Sequence, residues 1–175
     1  MRKVTVIGAG QVGSTTAMRV AERGIADVSL IDMYGDLARG KALDIAQSLP
    51  LTDSSARVEG GDDYDLAAES DVVVVTAGFP RAPGMSRSDL LEKNAAVVRE
   101  VVEKACAVAP DAVLIMVTNP LDEMTRLAWR VTGWERRRVM GMAGLLDGSR
   151  LACFAAAELG VPPGQVQPMV LGRHG

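Results

Sequence analysis

Along this chain, short apolar runs alternate with stretches whose apolar residues recur at helical spacing. The runs fall at residues 4–7, 28–31, 57–60, 72–76, 113–117, 139–142 and 166–171. Their length and β-branched content predict seven strands, the one at 57–60 being the weakest. Between them, residues 12–23, 37–47, 86–109, 120–132 and 145–159 predict helices. In the first helix Val12, Thr16 and Val20 share one face. Pro120 stands where it can open its helix at the first turn, whose N–H needs no partner. Val72-Val73-Val74-Val75 is apolar without alternation, as expected for a strand covered on both faces. Strands alternating with helices over the whole length predict an α/β fold, a doubly wound parallel sheet with helices on both faces.

Composition sets bounds on this picture. With 175 residues, 48% of them apolar, the chain can bury a core of its own. Only 3% are aromatic, so that core must be built from Val, Ile, Leu, Ala and Met. A net charge of −3 argues against an electrostatic grip on nucleic acid or an anionic membrane. No apolar run approaches the roughly 20 residues of a membrane helix. The first strand follows directly on Met1-Arg2-Lys3, so no signal peptide is expected. Cys106 and Cys153 lie far apart in apolar helical stretches. They read as buried thiols of a reducing, cytoplasmic compartment. No zinc-ligand spacing occurs, and no metal is expected.

The first strand–helix junction carries Gly8-Ala9-Gly10-Gln11-Val12-Gly13, a G-x-G-x-x-G pattern. Gly8 permits the tight turn, Gly10 lets backbone approach a pyrophosphate, and Gly13 lets the helix pack close to the strand. The free N–H groups of the helix start then face the phosphates. Alone this pattern is weak evidence, but here it follows a strand, opens a helix and precedes an acid at the end of the second strand. That acid, Asp32, suits the adenine-ribose hydroxyls and would repel a 2′-phosphate, which favours NAD over NADP. Residues 1–143 therefore read as an NAD-binding Rossmann domain, and the residues after it are too few for a second full domain.

Further polar groups follow the later strands, where open α/β sheets hold their ligands. The motifs are VIGAGQVG, the Asp32 strand end, TAGFPRAPGMSRSDLLEKN, VTNPLD, GMAGLLDGSR and LGRHG. In order and spacing they resemble the NAD-dependent malate dehydrogenases of the lactate dehydrogenase-like family, over all 175 positions. The resemblance implies reversible oxidation of (S)-malate to oxaloacetate, with 144–175 as the beginning of a substrate domain. It makes His174 the group that takes or gives the proton, and Asp147 the acid that orients it. Arg150 would pair with the substrate carboxylate, and Arg87 would polarise the reacting carbonyl. Arg81 would clamp the second carboxylate, which selects malate or oxaloacetate over lactate. Residues 79–85 would be a loop closing over substrate. Asn119 would contact substrate and nicotinamide, Asn94 the cofactor, and Thr76, Ala77, Gly78, Val117 and Thr118 would line the cofactor site.

The resemblance also implies a homo-oligomer, dimer or tetramer, acting on a small dicarboxylate. Two departures stand out. The family continues through the rest of a substrate domain after the histidine, which makes this sequence read as truncated and predicts exposed apolar surface and a tendency to aggregate. Arg173 also stands where the family motif has a second glycine before the histidine. Two alternatives stand beside the dehydrogenase: an NAD-binding module or fragment without catalysis, and a lactate or other 2-hydroxy acid dehydrogenase.

Overall fold

The structure, a computed structural model, describes residues 2–80, 82–172 and 174, without the Arg87 side chain. Six parallel strands form one sheet: β1 (Lys3–Ile7), β2 (Asp27–Ile31), β3 (Val58–Gly61), β4 (Val72–Val75), β5 (Val113–Met116) and β6 (Val139–Gly141). Their order is β3-β2-β1-β4-β5-β6. The chain works outward from β1 in one direction, then returns to place β4 on its other side. That reversal leaves a crevice at the carboxyl ends of β1 and β4, where doubly wound sheets bind ligands. Four α-helices join strands, α1 (Gln11–Glu22), α2 (Gly35–Ser48), α3 (Arg87–Val108) and α4 (Leu121–Thr132), and a fifth, α5 (Gly144–Leu159), follows β6.

The two-residue period of the strands decides which face each side chain covers. Val4 pairs with Val28 on one side and Val72 on the other, and this register continues to Ile7, Ile31 and Val75. Val6, Leu30 and Val74 pack with Ala17 and Ala21 of α1 and with Ala38 and Ile45 of α2. Ile7, Ile31, Val75 and Met116 point the other way, against Val98 and Val102 of α3 and Met124 and Ala128 of α4. Thr5 and Ser29 are buried within the sheet, and each is satisfied by a neighbouring side chain. The Thr5 and Ser70 hydroxyls are 2.7 Å apart, and Ser29 donates to Glu59 at 2.7 Å. Ser86 starts α3 with a capping box: its hydroxyl accepts from the Asp89 N–H, and the Asp89 carboxylate accepts from the Ser86 N–H. The hydrogen bonds from Ser86 hold the Asp89 carboxyl below its ordinary range.

Four expectations need correction. The apolar run at 166–171 is not a strand. Pro168 in its middle cannot donate to a ladder, no strand pairs with it among the described residues, and Met169 and Leu171 are exposed. In α1 the buried face is Gly13, Ser14, Ala17 and Ala21, while Val12 is exposed. The helix lies so close to the sheet that its fully buried positions are small, while Met18 and Val20 pack partly buried against the same core. Pro120 sits one residue before the first helical position of α4 rather than within its first turn. Finally, only Cys106 is partly buried, whereas Cys153 is exposed on α5.

Burial pushes the Cys106 thiol up to about 11, with the nearby Arg138 charge pulling the other way. A thiol reagent at neutral pH is therefore expected to modify Cys153 quickly in the native chain and Cys106 only after denaturation, since the thiolate is the reactive form. Rapid modification of both would contradict this packing. Because burial disfavours the folded thiolate, the contribution of Cys106 to stability is full below its unfolded value of 9.0 and is lost as pH rises towards about 11.

Candidate functional site

The β1–α1 junction is shaped by contacts that exclude side chains. Gly8 has φ +104°, a left-handed conformation that favours glycine. A Cβ on Gly13 would lie 1.8 Å from the Gly8 carbonyl oxygen, so α1 approaches the turn as only glycine allows. A Cβ on Gly10 would meet nothing within 4 Å. Gly10 faces open space and offers α1 no side-chain cap. The first-turn N–H groups of α1 are thus left facing a region with room for a phosphate. Gly10, Gln11 and Val12 are exposed, whereas Gly8, Ala9 and Gly13 are buried.

Asp32 follows β2 and meets this turn directly. Its Oδ2 accepts the Ala9 N–H at 2.7 Å, and its Oδ1 accepts the Tyr34 N–H at 3.0 Å. A carboxylate has about four lone-pair sites, so capacity remains for ribose hydroxyls. Thr76 closes the turn from β4, its Oγ1 donating to the carbonyls of Ile7 (3.2 Å) and Gly8 (3.1 Å). These residues fit a dinucleotide. Replacing Asp32 with alanine is expected to weaken NADH binding about ten- to hundredfold, the weight of hydrogen bonds to a charged group. It should also narrow the preference for NADH over NADPH. Calorimetry with both nucleotides checks this, and an unchanged ratio of affinities would count against the role of Asp32.

The ends of β4 and β5 are bound together. Thr118 is buried and donates to the Ala77 carbonyl at 2.7 Å, and Val117 is half-buried behind it. Gly78 and Asn119 are exposed at the mouths of these strands. Asn94 of α3 is only 1% exposed and bonds to the backbones of Phe79 and Asn119. Its amide groups are engaged by the protein beneath the surface.

A second cluster lies beyond β6. His174 Nδ1 and Asp147 Oδ2 are 2.8 Å apart, with both side chains about a quarter exposed. Asp147 stands in the first turn of α5, and its Oδ1 accepts from exposed Arg150 at 3.3 Å. Asp122, at the start of α4, accepts the backbone N–H of His174 at 3.3 Å. The sequence motif VTNPLD contains Asp122, and its place three residues after Asn119 was the available signal for it. A cleft of about 620 Å³ adjoins this cluster and is lined by Leu121, Thr125, Trp129, Gly144, Asp147 and His174, among others. The glycine turn does not line it. Arg81 and Arg173 lie outside the described residues, as does the Arg87 side chain, although Arg87 is the first residue of α3. No group of three metal-ligating side chains occurs among the described residues, and none of their helices is long and apolar enough to cross a membrane.

Residues 2–141 match the family described as lactate/malate dehydrogenase, NAD binding domain. The chain belongs to the lactate/malate dehydrogenase family. It is 51% identical over 174 residues to a malate dehydrogenase of Thermomicrobium roseum, covering 99% of this chain and 56% of that protein. Among solved structures it resembles malate dehydrogenase from Salinibacter ruber, with TM-score 0.93 and 44% identity, over 99% of this chain and 55% of that one. It also resembles the lactate dehydrogenase of Cryptosporidium parvum solved with lactic acid and nicotinamide adenine dinucleotide, with TM-score 0.94 and 41% identity, over 99% and 55%. The chain spans about half the length of the curated lactate/malate dehydrogenase family members that it matches.

Proposed function

We propose that this chain forms the NAD-binding half of a malate dehydrogenase, interconverting (S)-malate and oxaloacetate, with residues 144–175 opening the substrate-binding part. The observation that carries this reading is the pairing of two sites on one chain. A glycine turn with Asp32 lies at the sheet's switch point, and a 2.8 Å His174–Asp147 contact lies beyond β6.

Asp32 accepts the adenine-ribose hydroxyls, while the N–H groups at the start of α1 receive the pyrophosphate. When bound, NAD supplies the two-electron acceptor for the substrate carbon. Asp147 holds the imidazole with Nδ1–H donating to its carboxylate, which leaves Nε2 to take the hydroxyl proton of malate. In the reverse direction the same nitrogen returns that proton. Arg150 already donates to Asp147 through one nitrogen. Its guanidinium has five N–H donors, so it can hold a substrate carboxylate as well. Arg87 polarises the reacting carbonyl, and Arg81 selects the dicarboxylate.

The test mixes the chain with NADH and either oxaloacetate or pyruvate and follows NADH absorbance. Faster oxidation with oxaloacetate is expected, and faster oxidation with pyruvate would overturn the substrate assignment. One observation favours a second reading, an NAD-binding unit without turnover: the family matched over residues 2–141 is described as an NAD binding domain. NADH binding by calorimetry with background oxidation of both acids would select that reading. No NADH binding would overturn both.

A further inference from the structure

A buried primary amide carries two donors and an acceptor, and each is costly to leave unpaired. In Asn94 all three are used on main chain from two different loops. Oδ1 accepts the Phe79 N–H at 2.8 Å. Nδ2 donates to the Phe79 carbonyl at 3.2 Å and to the Asn119 carbonyl at 2.6 Å. Phe79 lies in the loop after β4 and Asn119 in the loop after β5, and both are exposed. The amide therefore joins the two loops from beneath, on a residue that is only 1% exposed. Its neighbour Lys93 meets the same loop from outside, its Nζ 3.9 Å from the centroid of the Phe79 ring.

The geometry points to Asn94 as a positioning residue, which fixes the Asn119 and Phe79 backbones relative to each other. One side chain of α3 then sets both the mouth of β5 and the root of the loop leading to Arg81. This rests on reading the β4 and β5 mouths as the nicotinamide end of the site. Asn94 acts through the two loops and leaves the adenylate end, built from Gly8, Gly10, Gly13 and Asp32, untouched. A residue that merely supported the fold would weaken both ends together.

Hydrogen exchange on the full wild-type chain reads the strut without any variant. The Phe79 amide, though on an exposed residue, is expected to exchange at least roughly 10²-fold more slowly than in an unstructured peptide. Exchange at the peptide rate would overturn the proposal. In Asn94→Ala that protection should be lost. NADH affinity should fall about tenfold or more, as misplacement of distant groups does, while ADP, which engages only the adenylate end, binds within about twofold of wild type. Equal losses for ADP and NADH, or no loss for NADH, would also overturn it. If wild type binds neither nucleotide, the functional reading fails, yet the exchange rate of Phe79 still decides the strut.

Discussion

Gly13→Ala is expected to destabilise the chain by about 3 kcal/mol and to weaken NADH binding by roughly 10²-fold. The added methyl would sit 1.8 Å from the Gly8 carbonyl oxygen and 2.7 Å from Thr76 Oγ1. The hydroxyl can rotate away, but the carbonyl is main chain. Either α1 withdraws from the sheet or the turn opens, and each movement displaces the N–H groups that face the phosphates. Denaturant unfolding reads the first effect and calorimetry the second. Gly10→Ala is the control, since a Cβ there meets nothing. It should leave stability nearly unchanged while still obstructing the approach of a pyrophosphate. A Gly13→Ala chain as stable as wild type would show that the turn yields more easily than its contacts imply.

Removing the imidazole is expected to have the other large effect. In His174→Ala, oxidation of NADH by oxaloacetate should fall by about 10²–10⁴-fold, the usual weight of a positioned acid–base group. NADH affinity should stay within about twofold, because His174 lies beyond β6, away from the glycine turn and Asp32. Turnover that persists unchanged would remove His174 from the mechanism. Asp147→Asn separates chemistry from positioning: the amide can still meet Nδ1 at 2.8 Å, but it carries no charge to stabilise the protonated ring. A loss in rate close to that of His174→Ala would indicate that the charge, more than the contact, matters.

The sheet was legible because each inner strand is a mostly apolar run too short to be a helix. Even the weak run at 57–60 forms β3, shifted by one residue to Val58–Gly61. The glycine turn and Asp32 were legible because their spacing follows from backbone geometry. The face of α1 was not. Periodicity weighs side chains by hydrophobicity, whereas the sheet admits α1 by size, so Ala17 and Ala21 are buried and Val12 is not. The run at 166–171 misled for a related reason, since its composition suits a strand but Pro168 and the lack of a neighbour deny it a ladder. Cys153 misled because α5 leaves apolar residues exposed, Leu145, Leu151, Phe154 and Leu159 among them. The bonds of Asn94 depend on two loops distant in sequence, and no local pattern encodes them.

The hydrogen bonds that knit the ends of β1, β2 and β4 carry a thermodynamic consequence. Gly8 donates its N–H to the Ile31 carbonyl, the Asp32 carboxylate accepts the Ala9 N–H, and the Thr76 hydroxyl bonds to the carbonyls of Ile7 and Gly8. The cradle for the adenylate is therefore formed before any nucleotide arrives. Docking there requires little ordering of the chain, so the conformational entropy that an induced site surrenders on binding is already spent in folding.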